Sequence, residues 1–284
     1  MISLQSGSLT VLVSHPGEYY RATRFDWAGV FRRIEKAGYV YADEWFAAYN
    51  PLTHDAVCGP SEEFVTVDFE HVGVGSLFVK PGVGLLRRPD DAPYDWFRLY
   101  EIADMGKWSV KATPSQVVFR QELQGWYEYE KQITLTDSSA FTIGHRLKWL
   151  HETPLRGYNY NHNFFTFNGT PVGQGRQIDF LFSPSGHWRE QYENVGFEGR
   201  GIRFRAPISE GRSVYCGDVH HEGDATSYDV TLREGTRRVR AVSDASLSHY
   251  VFWANPHVAC AEPYIPIELN RGETKSWQIG YSLE

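Results

Sequence analysis

Two short segments of the 284-residue chain hold the side chains best suited to moving protons. The first is Tyr158-Asn159-Tyr160-Asn161-His162-Asn163-Phe164-Phe165, which follows an apolar run and a turn at His151-Glu152-Thr153-Pro154. In an extended chain, Tyr158, Tyr160, His162 and Phe164 share one face, and Asn159, Asn161, Asn163 and Phe165 share the other. A histidine among amides and aromatic rings can give a proton to a bound hydroxyl, and its charge is tunable across neutral pH. Spacing alone leaves a second reading open, an aromatic core strand with a hydrogen-bonded histidine. The second segment is Val258-Ala259-Cys260-Ala261-Glu262-Pro263. A carboxylate in so apolar a stretch must be desolvated, paired or functional, and partial burial would lift its pKa into the range of a general base. The alternative is an edge-strand glutamate facing water.

Other polar clusters are weaker. His145 shares a face with Phe141, Ile143, Leu147 and Trp149, the pattern of a satisfied core histidine. His220 and His221 precede Glu222 and Asp224, but neighbours on an extended chain point to opposite sides, so this segment reads as a polar loop and no metal site is expected. Gly82-Val83-Gly84 lacks the Gly-Lys-Ser/Thr ending of a phosphate loop. Asp179 is either a contact for a ligand hydroxyl or a turn residue at a strand end. The three cysteines, Cys58, Cys216 and Cys260, are too few and too scattered for a disulfide framework.

The elements that must position these groups are strands. Period-two alternation runs through Gln116 to Glu122, Trp126 to Thr136, Phe141 to Leu150, Gly201 to Arg205 and Tyr228 to Arg233. Arg237 to Val242, His249 to Trp253 and Trp277 to Leu283 continue the series, with turn chemistry between them. Many short strands and few credible helices predict an all-β sandwich of antiparallel sheets, read as one domain over residues 1–284. Asp26 to Gly38 is the exception: Trp27, Val30, Phe31 and Ile34 fall at helical spacing, although a bent strand pair about Gly29 is preferred.

Composition narrows the partners. Aromatic residues reach 15% (9 Trp, 17 Tyr, 17 Phe), which suits half-buried strands and also supplies flat apolar surfaces. A formal charge of −7 argues against nucleic acid, whose phosphates need a clustered positive surface. Arg237, Arg238 and Arg240 read as a solvated strand face. No stretch is apolar for long enough to cross a membrane as a helix, and no secretion signal is evident, so a cytoplasmic protein is expected.

In order along the chain, the histidine segment and the glutamate segment resemble the aldose 1-epimerase (galactose mutarotase-like) family. The Asn161-His162 pair followed by Phe164-Phe165 is similar to that family's strand motif. Val258 to Pro263, with the turn at Asn270-Arg271-Gly272-Glu273, is similar to its closing pattern. The resemblance implies a β-supersandwich, a sugar as the small-molecule ligand and no metal or organic cofactor. It implies Glu262 as base on the anomeric hydroxyl and His162 as the donor to the ring oxygen. It further points to Arg88, Asn161, Tyr160 and Asp179 as sugar contacts. Members of this family carry an earlier histidine, and the corresponding stretch here, Glu101 to Trp108, has none; His71 is a candidate for that place. The departure leaves a second function open, a non-catalytic carbohydrate-binding or sugar-sensing protein on the same scaffold.

Overall fold

The alternating stretches fold as strands within a residue or two of where the pattern puts them, except that the last begins three residues earlier, at Thr274. The computed structural model describes residues 1–223 and 225–284, with the backbone alone described for 66–68. Among the described residues the regular elements are strands and one 3₁₀ turn, Val67–His71; no helix is long and apolar enough to cross a membrane. Two antiparallel sheets dominate. A ten-stranded sheet runs, in spatial order, Val195–Glu198, Gly201–Phe204, Arg176–Phe180, Asp229–Glu234, Arg237–Ser243, Thr274–Leu283, Ala140–Trp149, Tyr127–Leu135, Gln116–Leu123 and Lys107–Ala112. A six-stranded sheet runs Ser185–Trp188, Val214–His220, His249–Ala254, Ala259–Leu269, Leu155–Phe164 and Gly59–Thr66. Smaller sheets of four and three strands lie near the N-terminal side of the sequence, up to Asp104.

The large sheets face one another across a core in which Phe119, Ile133, Ile143 and Leu147 of one meet Leu155, Ile265 and Ile267 of the other. Alternation explains the choice of side chains. Tyr127–Leu135 buries every second residue, and its intervening positions are only partly covered. Both faces of Ala259–Leu269 and Leu155–Phe164 are largely buried, because a layer of loops covers the outer face of the six-stranded sheet.

The segment with helical spacing is a strand, Phe31–Lys36, preceded by a turn rather than by a second strand. Gly29 sits in that turn with φ of +66°, and a Cβ there would lie 2.6 Å from the Phe119 ring. Tertiary packing thus requires glycine and overrides the local helical pattern. Arg240 is exposed and Arg238 half-buried while Val239 and Ala241 are buried, so Arg238 and Arg240 form a solvated strand face. Arg237 shares the side of Val239 at the strand's first position, where it lies over the Tyr39 ring.

Polar groups cross the core between the sheets. Glu62 accepts from Lys131 at 2.5 Å, His145 at 2.8 Å and Asn161 at 3.0 Å, all buried. Lys131 also meets Asp26 at 3.3 Å, and Tyr129 donates to Asp26 at 2.9 Å. Burial would push the Glu62 carboxyl up, but His145 and Lys131 outweigh it and hold the group at about 2. His145 is therefore the paired core histidine that its apolar face implied, stacked on Trp277 at 4.5 Å.

Candidate functional site

The outer face of the six-stranded sheet forms the floor of a cavity of about 480 Å³. Four neighbouring strands supply that floor: Tyr160, His162 and Phe164 from Leu155–Phe164, Glu262 and Tyr264 from Ala259–Leu269, Val251 and Trp253 from His249–Ala254, and Tyr215 from Val214–His220. Loops complete the walls with Arg24, His54, Asp55, Trp96, Phe97 and Arg189. Rings therefore surround a small set of proton-carrying groups, the usual character of a small-molecule site.

His162 Nε2 lies 3.1 Å from Glu262 Oε1. The His162 ring stacks on Phe164 at 3.9 Å, and Trp253 meets it edge-on at 5.4 Å. Nε2 is the ring nitrogen with a partner; Nδ1 is buried without one among the described residues. Burial pushes the Glu262 carboxyl up to about 8, against the pull of Arg24 and with the help of the negative Glu63. Burial, Arg24 and His54 drive the His162 ring well below its ordinary value. At neutral pH the two groups therefore hold one proton between them, on the carboxyl, and neither carries a charge. Water-poor surroundings favour that neutral form because an ion pair here would be costly to desolvate.

A charged layer lies beside this pair. Glu63 accepts from Arg24 Nε at 3.0 Å and from Lys80 at 2.6 Å, and Tyr160 donates its hydroxyl to the same carboxylate. Arg24 Nη2 donates to the Tyr160 hydroxyl at 3.0 Å. Tyr160 also stacks on Tyr264 at 4.5 Å, so the phenol is held from two sides. Glu62 and Glu63 are consecutive on one strand, so one faces the intersheet core and the other the cavity layer.

Of the residues singled out in the sequence, His162, Glu262 and Tyr160 come together here. The others do not. Asn161 lies on the opposite face of its strand, in the intersheet core, where it donates to Glu62. Arg88 is buried and donates to the carbonyls of Phe69, Val72, Asp90 and Asp91, binding a loop rather than a ligand. Asp179 bridges Arg203 and Arg233 at 2.6 Å each on the ten-stranded sheet. His71 is exposed at the end of the 3₁₀ turn and does not line the cavity. His220 bonds back to the carbonyl of Asp218 at 2.7 Å, and Asp224 lies outside the described residues. Sequence reasoning missed Arg24, Glu63, His54 and Arg189. His54, which meets Asp55 at 3.5 Å, is a second imidazole at the cavity, drawn from a segment far from Glu101 to Trp108.

No protein-family model matches the chain, and no curated protein sequence is detectably similar to it. Solved structures do match. A putative aldose 1-epimerase from Escherichia coli superposes with a TM-score of 0.59 at 14% identity, covering 99% of this chain and 98% of that one. A galactose mutarotase-like protein from Lactobacillus casei gives 0.57 at 12% identity over 100% of both chains. A galactose 1-epimerase from Lactobacillus acidophilus gives 0.54 at 9% identity, over 99% of this chain and 93% of the other. The fold is the galactose mutarotase-like β-sandwich that the sequence resemblance implied.

Proposed function

We propose that the protein interconverts the anomers of an aldose by opening and closing its hemiacetal ring, with His162 and Glu262 as the proton-transfer pair. Fold alone does not assign an activity. The observation that carries the reading is the direct contact of 3.1 Å between His162 Nε2 and Glu262 Oε1 on the floor of an aromatic-lined cavity. Ring opening needs a proton taken from the anomeric hydroxyl and another given to the ring oxygen, two atoms bonded to the same carbon. Two adjacent groups sharing one proton meet that requirement.

The charge state of the pair sets the roles. Glu262 holds the proton and His162 is the neutral base. In ring opening, Glu262 protonates the ring oxygen while His162 Nε2 takes the proton of the anomeric hydroxyl. The C1–O5 bond breaks and the carbonyl forms. After rotation about the C1–C2 bond, the carboxylate recovers its proton from the C5 hydroxyl as the ring closes. The imidazolium returns its proton to the new anomeric oxygen, and the pair ends in its starting form. This reverses the acid and base roles implied by the resemblance, because burial stabilises the protonated carboxyl and the neutral imidazole. Positioned proton transfer of this kind contributes roughly 10²–10⁴-fold to a rate. Trp253 on the floor and the exposed Trp96 and Phe97 of the walls offer flat apolar surfaces on which a sugar ring stacks, whereas Tyr264 is already stacked between Tyr160 and His249. Two-dimensional exchange NMR of the anomeric protons tests the proposal. Added protein should produce exchange cross-peaks between the anomers of at least one hexose, pentose or acidic sugar derivative. A panel with no enhanced exchange would refute it.

A further inference from the structure

Within the cavity, positive charge outnumbers negative. Arg24 and Lys80 share the single carboxylate of Glu63. Asp55 is the remaining carboxylate of the walls, since Glu262 is protonated at neutral pH. Arg189 lines the same cavity, and its guanidinium lies over the Tyr215 ring at 4.5 Å. Such stacking holds a guanidinium in place without neutralising it. No ion pair to Arg189 is present among the described residues, whereas Arg203 and Arg233, for comparison, share Asp179. The cavity and the layer behind it thus carry one positive charge in excess, within a chain of formal charge −7.

The two arginines differ in commitment. Arg24 acts electrostatically on both members of the proton-transfer pair, and Glu63 and Tyr160 engage its Nε and Nη2. It belongs to the reacting end of the cavity. Arg189 extends from the loop after Ser185–Trp188, is exposed, and rests on the Tyr215 ring, two strands across the six-stranded sheet from Glu262. A ligand whose anomeric carbon sits at the pair would present its far end to this guanidinium. We propose that the sugar bound here carries an anionic group, a phosphoester or a carboxylate, at the end away from its anomeric carbon, and that Arg189 binds that group. A guanidinium suits the task because its planar fork can donate two parallel hydrogen bonds to either kind of oxyanion.

The inference rests on the reading of the site as a sugar cavity, but it is tested by binding alone, so loss of isomerase activity would not confuse the result. Isothermal titration calorimetry would compare glucose and galactose with their 6-phosphates and with glucuronate and galacturonate, at low and high salt. The anionic sugars should bind at least about tenfold more tightly than the neutral ones, with a preference that shrinks as salt screens it. In Arg189→Gln, checked for an unchanged melting temperature, the anionic-to-neutral preference should fall to near unity. Preference for the phosphates alone identifies a phosphoester, and preference for the uronates alone identifies a carboxylate. Equal binding of neutral and acidic sugars, no binding of any acidic sugar, or a preference that survives Arg189→Gln would overturn the proposal.

Discussion

Replacing Glu62 with glutamine alters one atom at the centre of the sandwich and leaves the volume unchanged, so its cost reports on charge rather than packing. The wild-type carboxylate takes Lys131, His145 and Asn161 at 2.5, 2.8 and 3.0 Å. In the variant, Lys131 retains Asp26 at 3.3 Å as its acidic partner. A folded-state value of about 2, against an ordinary 4.5, corresponds to roughly 3 kcal/mol of stability at neutral pH. That agrees with the ~3–5 kcal/mol lost when one partner of a buried ion pair is removed. Because the folded value is depressed, this stability is fully present above about pH 4.5 and disappears as pH falls towards 2. Urea unfolding followed by tryptophan fluorescence should show Glu62→Gln less stable by about 3 kcal/mol near pH 7, with less than half of that difference left near pH 3. A neutral-pH difference under ~1 kcal/mol, or one that does not change with pH, would refute the assignment of a buried, charge-stabilised carboxylate.

Further outcomes follow from the same geometry. Anomerisation should hold a plateau through neutral pH and fall as pH rises through about 8, where Glu262 loses its proton; a pH–rate profile that rises there would contradict the proposed roles. Arg24 lowers the Glu262 value, so Arg24→Gln should move that alkaline limb to higher pH, and a limb that stays in place or moves down would show that Arg24 does not act on the pair. Gly82 has φ of +81°, and a Cβ there would sit 2.3 Å from Asp26 Oδ1. Gly82→Ala should therefore cost roughly 1–3 kcal/mol from the backbone alone, plus the displacement of Asp26, and a wild-type melting temperature would exclude that crowding.

The strands of the ten-stranded sheet were legible because that sheet buries one face and leaves the other partly covered, which writes alternation directly into segments such as Tyr127–Leu135. The same rule located the floor of the site. Tyr160 and His162 share a face, and Asn161, selected through the family motif, is turned away from them by that alternation. Asn161 is thus a case in which resemblance suggested a contact that strand geometry denies. Arg88 and Asp179 failed for a different reason, since a sequence pattern carries no record of which carbonyls or guanidiniums surround a side chain. Arg24, His54 and Arg189 come from loops, where no periodicity announces a face, and long-range closure alone brings them to the cavity. Glu62 and Glu63 showed the plainest missed signal: two adjacent acids on a strand must face opposite ways, and here both directions are buried.

The central claim is that Glu262 and His162 exchange protons with a sugar hemiacetal. Polarimetry on freshly dissolved α-anomers of neutral and acidic sugars, with wild-type protein beside Glu262→Gln, tests it most directly. The account predicts faster relaxation to the anomeric equilibrium with the wild type, reduced about 10²-fold or more in the variant. Acceleration that survives Glu262→Gln undiminished would contradict it.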